Sequence, residues 1–141
     1  MATMKDAEGW AEGLSLTVKR QAIIGSTYIF GEGADVDVLL EVDNLGDVAA
    51  QLALKGWDVA VKYEVTDGWF AARKGLVNLL VCSDTDHYCN MLGAAWVCRA
   101  LYLAGKLEAW DKDTRVIIHR AITGEAQTLG GMVFEHGERH V

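Results

Sequence analysis

Residues 22–42 read AIIGSTYIFGEGADVDVLLEV, and this stretch decides the fold. A short apolar run, Ala22 to Ile24, ends in Gly25-Ser26. A turn containing Gly31 and Gly33 follows, and then a second run that alternates from Asp35 to Val42. On a strand, residues two apart share a face. Val36, Val38, Leu40 and Val42 therefore form a buried face. Asp35, Asp37, Leu39 and Glu41 form the other, which sets two carboxylates side by side just after a Gly-Ser turn. Asp is disfavoured in strands, so two at alternate positions ask for a reason beyond an exposed strand end.

A divalent cation supplies one. Hard cations prefer carboxylate oxygens, and Mg²⁺ typically takes one or two carboxylates together with substrate phosphates. Glycine lets a phosphate approach the backbone closely. A helix opened by Ser26 would turn its hydroxyl and free N–H groups toward an anion. Glu41 lies about 13 Å from Asp37 along the strand, too far to share one cation, and reads as an exposed strand acid.

These residues resemble the signature of the DNA polymerase β-like nucleotidyltransferases: an apolar strand, Gly-Ser, about ten residues, then Asp-x-Asp on a second strand. The matching residues are Gly25, Ser26, Asp35 and Asp37. A second resemblance, at Arg73 to Val81 (RKGLVNLLV) with an acidic turn and long apolar helix after it, is to a nucleotidyltransferase-like family of bacteriophage proteins.

The resemblance implies an α+β (α/β) domain: a small mixed or antiparallel sheet, helices packed on one face and a C-terminal helical cap. It implies that Asp35 and Asp37 hold Mg²⁺ or Mn²⁺, and that Gly25 and Ser26 cradle the phosphates of an NTP such as ATP. The third catalytic carboxylate of such enzymes lies in an apolar run on a neighbouring strand. Here that place falls to Asn78, which can neither accept a proton nor bind a metal strongly. Asp84, Asp86 or Glu64 could substitute for it.

The turn from Thr27 to Ala34 carries Glu32 and no basic residue, where relatives often place Arg or Lys. Cationic help for the phosphates is therefore sought at Lys74, in the Arg73-Lys74 turn, and at Arg115. Lys112, Arg115 and His119 share one side of the last helix; the ordinary reading of such a set is a solvated face.

The implied function is nucleotidyl transfer from an NTP to a protein, RNA or small-molecule acceptor. The alternative is a phage protein that keeps the fold and modulates a host protein without turnover.

A chain of 141 residues, 51% hydrophobic and with five Trp, is long enough for one domain with a real core. The expected partition is an N-terminal helix over 1–20, a sheet core with inserted helices over 21–83, a helical part over 84–123 and a tail over 124–141 that runs loose unless Met132 to Phe134 docks. The net charge of −7 argues against broad duplex nucleic-acid binding. Cys82, Cys89 and Cys98 form no Cys-x-x-Cys pair and read as reduced thiols of a cytoplasmic protein, the host cytoplasm if phage-encoded. The acidic start lacks the apolar core of a signal peptide, and no apolar run reaches membrane-spanning length. His136 and His140 are four apart, but with Gly137 between them they read as an exposed tail.

Glycine punctuates a chain without proline. Helical spacing predicts helices at 4–18, 26–30, 47–55, 86–104 and 111–122. Alternation predicts strands at 21–24, 35–42, 58–65, 69–73 and 76–81. The last three are joined by loops short enough for an antiparallel meander, with Thr66-Asp67-Gly68 as its first turn.

Overall fold

A computed structural model describes residues 2–3, 10, 16–60, 68–107, 112–123, 127–129 and 132–134. The chain opens with β1 (Ala2–Thr3) and enters the main sheet at β2 (Arg20–Ile24). Then come α1 (Gly25–Phe30), β3 (Glu32–Gly33), β4 (Val36–Glu41) and α2 (Leu45–Leu54). The meander is β5 (Asp58–Ala60), β6 (Trp69–Lys74) and β7 (Val77–Cys82). It leads into α3 (Thr85–Leu103), α4 (Lys112–Thr123), β8 (Gln127–Leu129) and β9 (Met132–Phe134).

The main sheet has the order β2-β4-β7-β6-β5. β2 runs antiparallel to β4, β4 parallel to β7, and β6 antiparallel to both of its neighbours, β7 and β5. The sheet is mixed because α2 and the first two meander strands intervene between β4 and β7, enough chain for a crossover. This is the expected α+β architecture, a small mixed sheet with helices packed against it. The predicted helix at 4–18 lies largely outside the described residues; Leu16 and Val18 are not helical and pack against the core. Residues 61–65 of the predicted third strand and Thr66-Asp67 also lie outside them.

The helices cover both faces of the sheet, which corrects the expectation of one. Val36, Val38, Leu40, Leu79, Val81 and Phe70 pack against Val48, Ala49 and Leu52 of α2. Leu39, Cys82 and Ile24 pack on the other face against Tyr88 and Ala95 of α3. Leu39 stands on the acidic face of β4 and is 1% exposed. β4 is therefore a central strand buried on both sides, and two helix layers are needed to cover it.

α2 begins at Asn44, whose side chain accepts from the Asp47 N–H at 3.0 Å. α3 begins at Asp84, which accepts from the N–H groups of Asp86 and His87. Both are ordinary N-caps. Asp84 and Asp86 thus serve the helix start. α4 packs against α3, and Ile118 meets the Ile29, Cys98 and Leu107 cluster, which forms the helical cap. β8 and β9 pair as an antiparallel hairpin, with Gly130-Gly131, a residue pair favoured in tight hairpin turns, between them in sequence.

Candidate functional site

The β4 register builds the site. Asp37 lies opposite Ile24 of β2 on one side and opposite Asn78 of β7 on the other, and Asn78 lies opposite Arg73 of β6. Asp37, Asn78 and Arg73 thus occupy one row across three strands, on the face that carries Leu39. The Asn78 Nδ2 donates to Asp37 Oδ1 at 3.1 Å. Arg73 Nη1 donates to Asp35 Oδ2 at 3.0 Å. Asp35 precedes the strand, and its carbonyl accepts a hydrogen bond from the buried Thr27 hydroxyl at 2.5 Å. Thr27 therefore ties the Gly31–Asp35 turn to α1.

Gly25 faces Asp37. Its φ is +75°, and a Cβ there would collide with the Asp37 carboxylate. Gly33 meets the other half of the motif: a Cβ on it would collide with the Ser26 hydroxyl. Two glycines thus allow backbone to close around Ser26 and Asp37. α1 starts at Gly25, one residue before the expected start, and Ile24 at its N-cap offers no side-chain hydrogen bond. The first N–H groups of the helix have no intrahelical partner.

The Asp37 carboxyl is pushed above the usual Asp value. Burial is the main cause and the neighbouring Asp35 charge adds to it; the Asn78 hydrogen bond and Arg73 act against both. A charge held this way favours whatever brings a cation. Asp35 and Asp37 could hold one Mg²⁺ or Mn²⁺, leaving its other positions to phosphate and water. A second cation would need another acid. Among the described residues, no three His, Cys, Asp or Glu side chains gather where they could share a metal.

Other residues singled out in the sequence stand elsewhere. Lys74 alternates with Arg73 and so faces the opposite side of the sheet, where its Nζ donates to the Lys55 carbonyl at 2.9 Å. Arg115 lies over the Phe30 ring at 5.1 Å, at the far end of α1 from Gly25. Neither joins the aspartates. Lys112 and His119 belong to the same helix, α4. Glu64, His136 and His140 lie outside the described residues. Cys82 is buried, with its thiol pushed up to about 12, first by burial and then by Glu41 and Asp84; Cys98 is also buried and raised by burial. Neither is a reactive thiol.

Glu41 is a correction. Its side chain is fully buried, where an exposed strand acid was expected. Arg20, its register partner on β2, donates Nε to Oε1 at 2.6 Å, and Thr85 donates its hydroxyl to Oε2 at 2.6 Å. The Arg20 guanidinium also lies 5.1 Å from the Tyr88 ring centre. These contacts tie the C-terminal end of β4 to the start of α3. Thr85 and then Arg20 hold the Glu41 carboxyl below its ordinary value. A carboxyl with a lowered folded value stabilises the fold above its unfolded value of 4.5 and loses that contribution as pH falls through the folded one. Glu41→Gln should therefore flatten the acid side of the melting-temperature profile between roughly pH 6 and pH 3. An acid limb as steep as wild type would show that other carboxylates set it.

A search of solved structures finds the crystal structure of conserved protein GrpB from Enterococcus faecalis, with a TM-score of 0.59 and 14% identity, covering 86% of this chain and 90% of that one. At that identity the likeness is one of fold. No protein-family model matches the sequence, and no curated protein does. Among the described residues, no helix is long and apolar enough to cross a membrane.

Proposed function

We propose that the protein is a metal-dependent nucleotidyltransferase, moving a nucleotidyl group from an NTP to an acceptor hydroxyl with pyrophosphate as the leaving group. The observation that carries this is the approach of Gly25 to Asp37, with Asp35 beside it on the same strand end. That close approach sets the start of α1 beside a carboxylate pair, where a metal-bound phosphate chain would meet both. Mg²⁺ or Mn²⁺ on Asp35 and Asp37 would neutralise charge on the triphosphate and polarise the phosphorus under attack. The residues of the chain do the rest. Asp35 and Asp37 fix where the reacting phosphate sits. Gly25 and Ser26 present backbone N–H groups to the phosphate oxygens. Asn78 holds the Asp37 carboxylate in place through its amide. The acceptor proton passes to water or to the acceptor's own surroundings, since an amide at 78 cannot take it.

A second reading has its own support. Asn78 fills the place of the third acid, and Arg73 pairs with Asp35. Both arrangements suit a protein of phage type that keeps the fold to bind a partner in the host cytoplasm, with no turnover.

Incubation with each of the four α-labelled NTPs, Mg²⁺ and candidate acceptors tests the first reading. Label should move from one NTP, and Asp37→Asn should stop the transfer. Mg²⁺ with that NTP should also raise the melting temperature by mass action, and Asp37→Asn should remove most of the rise. Without ligand, Asp37→Asn should melt at or above the wild-type temperature, because it replaces a partly desolvated charge. Transfer undiminished in Asp37→Asn would sink the site, and no transfer from any NTP would favour the binding module.

A further inference from the structure

We propose that Arg73 is the residue that receives the triphosphate, and that it does so by exchanging Asp35 for phosphate when a divalent cation arrives. The inference rests on the cation-assisted nucleotide site above and names a role within it. Arg73 stands at the end of the row that runs through Asn78 to Asp37. It is bonded to Asp35 through one nitrogen, and its side chain is 53% exposed. A guanidinium carries five N–H donors, so most of its hydrogen-bonding capacity remains for a ligand.

Other cations are engaged away from the aspartates. Lys74 caps the Lys55 carbonyl on the opposite face. Arg99 donates to the Tyr28 and Ile29 carbonyls, Arg115 lies over Phe30, and Arg20 is committed to Glu41.

Charge gives the exchange its direction. Two carboxylates and one guanidinium leave the cluster negative, which repels a triphosphate. A divalent cation on Asp35 and Asp37 makes it positive and takes over the neutralisation of Asp35. The guanidinium then loses its reason to stay and finds phosphate oxygens, which match its planar fork. An exposed pair of this kind is weak enough to open. Arg73 therefore opposes the bare cation and favours the cation–phosphate complex. It orders binding so that polyphosphate enters only with its metal.

The test measures two affinities whose changes have opposite signs. Mn²⁺ alone is titrated by electron paramagnetic resonance, and magnesium tripolyphosphate by calorimetry, so neither reading depends on turnover or on the base. Arg73→Gln should bind Mn²⁺ alone about three- to fivefold more tightly than wild type. It should bind magnesium tripolyphosphate at least about tenfold more weakly. Arg73→Lys, which keeps the charge, should recover part of the polyphosphate affinity. Asp37→Asn should lose Mn²⁺ in either background. If Arg73→Gln binds Mn²⁺ as wild type does, or weakens both ligands together, the exchange is overturned while the metal site stands. If no protein of the set binds Mn²⁺, the exchange and the site fall together.

Discussion

Gly25→Ala should abolish polyphosphate and cation binding and lower the melting temperature by several degrees. Two costs combine. Gly25 sits at φ +75°, a region that L side chains rarely adopt, and such strain costs about 1–3 kcal/mol. The added Cβ would also collide with the Asp37 carboxylate and come within 3.0 Å of its Cγ. Asp37 cannot yield easily, because Asn78 holds its other oxygen and Ile24 and Asn78 flank it in the sheet. The variant must therefore displace either α1 or the acid.

A double-mutant cycle separates the two costs. In an Asp37→Ala background the backbone strain remains while the clash with the carboxylate is gone. Gly25→Ala should then cost less than in wild type, with a coupling of about 1 kcal/mol or more in urea titrations. Additive costs would mean that Gly25 and Asp37 do not touch.

This contact shows how far the sequence could be read. The Gly-Ser turn, the two aspartates two residues apart and the apolar strands around them sit within some twenty residues, and their grouping follows from local periodicity. Asn78 was legible too, as the polar residue inside LVNLLV, which the parallel register places beside Asp37. What escaped depends on register between distant strands. Arg73 and Asp35 are 38 positions apart, and no local pattern separates Arg73 from Lys74 as the residue that faces the acids. Alternation settles it only once β6 is aligned on β7.

Glu41 escaped for the same reason. Alternation puts it on the face of Asp37, and two acids on that face make it read as open to solvent. The signal available was Leu39, an apolar residue between the acids, together with Arg20 at the head of the preceding strand. A face that holds Leu39 is covered further along, and an acid under that cover needs a cation and a hydroxyl. The β1–β3 pairing, which joins Ala2 to Gly33 and Thr3 to Glu32, rests on two residues per strand and left no periodic trace.

Asn78→Asp should have effects of opposite sign with and without metal. In the wild type the Asn78 amide donates to Asp37 Oδ1 at 3.1 Å. An Asp in its place turns that donor into an acceptor and sets a like charge against a carboxyl already raised by burial and by Asp35. Without metal, the variant should lose about 1–3 kcal/mol at neutral pH. Asp37 should move further up, so the two carboxyls would share a proton in acid. A raised folded value stabilises below the unfolded value and loses that contribution as pH rises through the folded one. The deficit of the variant should therefore shrink as pH falls. With Mg²⁺ or Mn²⁺ the same three acids become a better oxygen cage. The metal-induced rise in melting temperature should then exceed the wild-type rise, by the equivalent of about 1.4 kcal/mol for each tenfold gain in affinity. Transfer reads the remaining question. If turnover in the wild type is held back by the missing acid, Asn78→Asp should raise it, because the new carboxylate can accept the acceptor's proton. If the metal response grows while transfer stays absent, the acid is not what the protein lacks, and the binding-module reading gains. A metal response no larger than wild type would mean that Asn78 and Asp37 do not face a common cation.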